Sequence, residues 1–252
     1  MDVVYLEVIF IFILGLVIGS FLGSVVYRVK NKISLRVKRS FCVMCKTTLK
    51  VVDLIPLVGY FAQKGKCRFC KEPVSWEYSA IELSTAILFV LYYFHFELSY
   101  LLIGQLALLS FLIVIFVYDL KWKFIFDRFT VPAGVIALIL GFAQTHDLLN
   151  LLFAALIAGG FFMAQFIISK GEWVGGGDVR MGLLMGFLLG WPLVLIALML
   201  SYIIGAIVGV IGIAFKKVGM KSQMPFGPFL VIGTIISVLY GEYILALFTY
   251  GY

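Results

Sequence analysis

Long apolar runs constrain this chain more than any other feature. They cover about residues 3 to 27, 80 to 96, 99 to 118, 130 to 145, 150 to 168, 181 to 190, 192 to 215 and 226 to 248, and none of them carries a Lys or Arg. In hydrocarbon every backbone N–H and C=O must be satisfied internally, which apolar runs of about 20 residues achieve as helices. The expected fold is therefore an all-α integral membrane protein of about eight transmembrane helices. The composition agrees: 63% of residues are hydrophobic and 13% charged, against the roughly 25% charged of soluble domains. The first run ends in Tyr27 and Arg28 without a small-residue cleavage site, so it reads as a span and not as a cleaved signal. The sixth run is short, and Gly190-Trp191-Pro192 after it reads as a hairpin.

The net charge of +7 could point to a nucleic-acid partner or to membrane topology, and the position of the charge decides between them. All 20 Lys and Arg residues fall in four segments, 28 to 79, 119 to 129, 169 to 180 and 216 to 225. These alternate with segments that carry none. Such asymmetry predicts an even number of crossings, both termini outside, the basic segments in the cytoplasm, and no nucleic acid as partner. Part of the charge would meet anionic lipid headgroups of the bilayer. The division that follows is a first helix over 1–27, a soluble-looking loop over 28–79 and a helical membrane part over 80–252. No sequence repeat at a fixed period stands out.

All four cysteines sit in that loop, as Cys42-Val-Met-Cys45 and Cys67-Arg-Phe-Cys70. Paired C-x-x-C turns can aim four thiolates at one point and complete a tetrahedral zinc shell with no open position, which is a structural site. Disulfides are the alternative pairing, and a cytoplasmic loop would keep them reduced. With few large apolar side chains, a loop of this size depends on the metal for much of its folding free energy.

Among the 13 acidic residues, two stand out. Asp119 closes the third run, and Asp178 ends Gly175-Gly176-Gly177-Asp178 just before the sixth; the charge pattern puts both at the same membrane face. Carboxylates there are costly and tend to be functional. Two that come within a few Å share a proton, so that one can act as base on a water while the other donates to a carbonyl oxygen. Gly175 and Gly177 would leave room for an extended substrate strand beside them. The competing expectation is local: Asp178 capping a helix and Asp119 marking an interface. The glycines are not a phosphate loop, since no G-x-G-x-x-G or following Lys-Ser is present. A Ser-His-Asp site is disfavoured because His95 and His146 fall at the opposite face. A scaffold or a proton- or ion-coupled transporter with a docking loop remains the rival class, although no inverted repeat is visible.

In combination the motifs resemble the bacterial type IV prepilin peptidases, bifunctional enzymes of the GxGD aspartyl class, over nearly the whole chain. In the first half these are Gly19-Ser20-Phe21-Leu22, Tyr27-Arg28, the paired C-x-x-C, Asp53 with Ile55-Pro56, Gly65-Lys66-Cys67-Arg68 and Glu82-Leu83. Further on they are Asp119 with Ile125, Asp127, Thr130 and Pro132, then Gly175 to Arg180, and Pro225-Phe226-Gly227-Pro228-Phe229. The resemblance implies Asp119 and Asp178 as catalytic pair, Asp127 as supporting residue, and cytoplasmic cleavage of a basic leader from prepilins or pseudopilins after a Gly. It further implies N-methylation of the new terminus, usually Phe, from S-adenosylmethionine in a bacterial inner membrane. The paired C-x-x-C argues for the bacterial type over archaeal preflagellin or presenilin-like relatives. Gly23 stands where that family usually has Asn, Leu54 where Asn is usual, and Phe126 where Pro is usual; the resemblance links the loop over 28–79, and the half that holds the first two, to methylation.

Overall fold

A computed structural model describes residues 2–35, 39–215 and 224–250. Arg36, Lys38, Lys216, Lys217 and Lys221 of the basic segments lie outside the described residues. The chain forms two compact units, Met1–Leu102 and Ile103–Tyr252. Packing thus joins the first apolar helix, the cysteine loop and the second apolar helix, whereas composition divides them.

In the first unit, α1 (Asp2–Lys30) and α3 (Glu77–Phe96) flank a loop that holds a 3-10 turn at Val51–Leu54 and the short α2 (Val58–Ala62). The two long helices are antiparallel: Gly15 of α1 lies against Ala86, and Gly19 against Glu82. Small residues four apart make this approach feasible, since a Cβ on Gly19 would fall 2.7 Å from the Glu82 Cα. In lipid, where apolar surface gives no drive for association, such close backbone contact is a main source of helix pairing.

The second unit contains most of α4 (Tyr100–Trp122), followed by α5 (Asp127–Thr145), α6 (Leu148–Ile168), α7 (Gly176–Leu189), α8 (Leu193–Ala214) and α9 (Gly227–Tyr250). Seven helices of the described chain are long and apolar enough to cross a membrane. The sixth predicted run, near 181–190, is α7. It starts five residues earlier because Gly175, extended at φ −86° and ψ 161°, serves as its N-cap. At 14 residues it rises only about 21 Å, less than the roughly 30 Å hydrocarbon core. It has little need to match the lipid, because Val179, Met181, Leu184, Met185 and Leu188 are all buried.

Helix α7 runs antiparallel to α6. Gly182 faces Ala158 and Gly186 faces Ala155, and at the far end Asn150 joins the hairpin by accepting from the Trp191 N–H (2.7 Å) and donating to its C=O (3.1 Å). A Cβ on Gly186 would stand 2.2 Å from the Ala155 Cα, whereas one on Gly160 would meet nothing within 4 Å. Gly186→Ala should therefore lower stability in detergent by about 1–3 kcal/mol through overpacking, and Gly160→Ala should not. Equal melting temperatures for the two variants would contradict this packing.

Candidate active site and metal centre

Three helix ends of the second unit meet around Asp119 and Asp178. Asp119, in the last turn of α4, is 5% exposed, and Asp178, in the first turn of α7, is 7% exposed. Asp119 Oδ2 accepts the N–H of Gly227 at the start of α9 (3.0 Å). Asp178 Oδ2 accepts the N–H of Gly175 (2.8 Å). The other oxygen of each carboxylate makes no hydrogen bond among the described residues, and the two groups lie within electrostatic reach of each other. Asp178 thus does hold its own helix start, as the local expectation has it, but with one oxygen only. Helix N-termini also favour negative charge beside them.

Glycine is required at this junction. A Cβ on Gly227 would fall 2.7 Å from Asp119 Oδ2, and one on Gly177 would fall 2.7 Å from the Ile125 Cβ. Ile125 fills the space between the starts of α7 and α9, also contacting Gly227. Asp127, first residue of α5, forms an ion pair with Arg180 of α7; both are half-exposed, so the pair contributes modestly to stability while fixing the 123–126 turn against α7. Phe126, the N-cap of α5, is extended at φ −87° and ψ 135°, and its ring meets Tyr118 edge-on at 4.8 Å and Phe124 at 4.5 Å. His146 lies at the far end of α5, away from both carboxylates, as expected.

One part of this site has no sequence motif. Tyr202 of α8 exchanges hydrogen bonds with the Gln165 amide (3.0 and 3.1 Å), packs on Phe226 at 4.9 Å, and lies within electrostatic reach of Asp178. With Phe162 and Phe229 it makes an aromatic wall next to the carboxylates. An aromatic ring in an apolar span reads as lipid-facing; the only sequence hint is the lone Gln165, which needs a partner in hydrocarbon.

In the first unit, the Sγ atoms of Cys42, Cys45, Cys67 and Cys70 all lie within 4.8 Å of one another, with Cys42 and Cys70 3.8 Å apart. A tetrahedral centre with metal–sulfur bonds of about 2.3 Å separates its sulfurs by about 3.8 Å, so this group can hold a metal ion. The loop contains a backbone repeat that no sequence period announces. Cys42 N–H to Thr47 O, Lys46 N–H to Cys42 O and Leu49 N–H to Ser40 O recur as Cys67 to Glu72, Lys71 to Cys67 and Val74 to Gly65. The bridges Phe41–Thr48 and Lys66–Pro73 and the positive φ of Lys46 and Lys71 recur with them. Only C-x-x-C-K is shared in sequence; backbone hydrogen bonds carry the rest, which is why the repeat is faint in side chains.

Electrostatics in this cluster favour a cation. Hydrogen bonds from the hydroxyl and N–H of Thr47 pull the Cys45 thiol down to about 6, and the N–H groups of Cys70 and Phe69 lower Cys67. At Cys70 the Glu72 N–H also favours the thiolate, but loss of water and the neighbouring sulfurs outweigh it and push the thiol up to about 11. Four thiolates cannot crowd together uncompensated, and a divalent metal supplies the missing charge. Asp53 braces the site: it pairs with Arg68 of the second turn (2.9 Å) and accepts from Lys50 N–H and Gln63.

A multi-pass helical protein with such a carboxylate pair falls among membrane-embedded enzymes or ion-coupled transporters, and comparison with known proteins decides between them. Residues 13–96 match the Bacterial Peptidase A24 N-terminal domain, and residues 106–210 match the Type IV leader peptidase family. The prepilin leader peptidase/N-methyltransferase of Bacillus subtilis is 32% identical over 244 residues, covering 94% of this chain and 96% of that protein. Proteins of the same description from Pseudomonas aeruginosa (29% identical) and Legionella pneumophila (28%) each cover 92% of this chain and are themselves covered to 90%. No solved structure matches the chain. The chain belongs to the type IV leader peptidase family. It is an enzyme and a multi-pass bacterial membrane protein, and the scaffold and transporter readings are not favoured.

Proposed function

We propose that this protein removes the basic leader from type IV prepilins or pseudopilins and then methylates the new N-terminal amine, with Asp119 and Asp178 as the hydrolytic pair. The observation that carries this is the meeting of two buried carboxylates at three helix ends, each with one oxygen anchored to a glycine N–H and the other without a hydrogen bond among the described residues. One carboxylate takes a proton from water as its oxygen attacks the scissile carbonyl carbon, while the protonated partner donates to the carbonyl oxygen. The C–N bond then breaks as the leaving nitrogen gains a proton. Gly175 and Gly177 keep the approach to Asp178 low, Ile125 and the Asp127–Arg180 pair hold the helix starts in register, and the Tyr202 wall offers an apolar surface to the residues flanking the cut.

S-Adenosylmethionine, the donor, supplies a methyl carbon whose bond to sulfur breaks as the pilin amine nitrogen bonds to it; the electron pair stays on sulfur, and a proton leaves the amine. For the four cysteines we propose zinc, since thiolates in a closed tetrahedron suit it. The proposed orientation has eight crossings with both termini outside and the basic segments in the cytoplasm. Asn150 supports it by holding the end of α7 level with the start of α6, so that a short, shielded α7 returns the chain.

The test is purified protein in liposomes with a prepilin precursor and S-adenosylmethionine, read by mass spectrometry. Expected products are the free leader and a mature chain heavier by one methyl group. A precursor left intact by folded protein refutes the peptidase reading. In whole cells an impermeant amine reagent should leave every lysine unmodified, and labelled lysines would reverse the orientation.

A further inference from the structure

The first unit holds an open cleft of about 460 Å³ between the C-terminal end of α1, the start of α3 and the cysteine loop, within the size range of small-molecule sites. Three carboxylates line it, of which Glu72 is exposed to solvent. Asp53 is already neutralised by Arg68. Glu82 is not: it is 7% exposed, and its hydrogen bond among the described residues is one, from the Leu57 N–H to Oε2 (2.8 Å). A buried carboxylate without a counter-cation is costly unless something positive arrives.

The surroundings of Glu82 suit an organic cation. Tyr27 and Tyr78 share the wall, and electron-rich rings attract sulfonium and ammonium groups. The Tyr78 ring has its place because Gly23 is bare: a Cβ there would fall 3.0 Å from Tyr78 Cδ1. Ser79 Oγ, also on this wall, is buried with no hydrogen-bond partner among the described residues. Elsewhere in the cavity Arg28 and Lys66 offer positive charge to a carboxylate, and Phe41, Leu49 and Leu54 offer apolar surface to a flat ring system.

We infer that this cavity binds the methyl donor, with Glu82 and the two tyrosines taking its positive end. The inference rests on the N-methyltransferase reading above and adds the residues that would hold the donor. Because Gln at position 82 can still accept from the Leu57 N–H, Glu82→Gln removes the charge and keeps the bond. Leu54→Trp, at a half-exposed position, narrows the cavity without touching Glu82.

Calorimetric titration of the full chain in nanodiscs with S-adenosylmethionine, with prepilin cleavage as a separate check, tests the assignment. Both variants should bind the donor at least tenfold more weakly than the unsubstituted protein and cleave precursor at its rate. Donor affinity unchanged in both variants overturns the assignment of the cavity while leaving methylation intact. A chain that cleaves but neither binds the donor nor methylates overturns the methyltransferase reading itself.

Discussion

Asp119→Asn and Asp178→Asn should each lower kcat/KM for leader cleavage by about 10³-fold or more, on the order expected when a general acid or base is lost. Asn is nearly isosteric, and its carbonyl oxygen can still accept the Gly227 or Gly175 N–H that anchors each carboxylate, so the helix ends stay in place. What disappears is the proton-exchanging group. If the two act as one unit, the double variant should be no slower than either single one, because groups that work together are strongly non-additive. The comparison needs thermal melts beside the rates: melting temperatures within a few degrees of the unsubstituted protein with cleavage lost support the dyad, and an Asn variant that still cuts at a tenth of the normal rate sinks it.

The same pair shows how far sequence alone could reach. The apolar runs and the placing of Asp119 and Asp178 at helix ends follow from solvation, which side-chain composition reports directly. The length of α7 does not, because it is decided by a glycine N-cap inside a Gly-rich stretch. Nor does the division into two units: composition sorts residues by solvent, whereas packing joins α1 to α3 through Gly15 and Gly19, and only their spacing hints at it. Phe126 looked like a departure from a rule about Pro; its extended N-cap backbone is one that Pro also favours, and its ring finds Tyr118 and Phe124. Tyr202 stayed hidden because a phenol in a membrane span has no pattern until its partner, Gln165, is known.

Removing the metal should dismantle the first unit's loop and take donor binding with it. Between residues 39 and 76 only Gly59 and Cys67 are buried, so hardly any apolar core supports this segment, and structural zinc contributes apparent binding free energies on the order of 10 kcal/mol. Cys42 and Cys67 also line the cavity assigned to the methyl donor, so loss of the centre leaves that cavity without one wall. Cys67→Ser, or treatment with a strong chelator, is expected to reduce bound zinc from one per chain to none and to open the segment to limited proteolysis. Affinity for S-adenosylmethionine should fall by at least tenfold. Acid should act in the same direction: the metal is held by thiolates, the Thr47 hydrogen bonds favour that form at Cys45, and protons compete with the metal for all four sulfurs as pH falls. Elemental analysis after gel filtration at pH 7.5 and at pH 5, paired with proteolysis, reads both effects. A loop that stays protease-resistant and binds donor after complete loss of zinc would show that its fold rests on something other than the four thiolates.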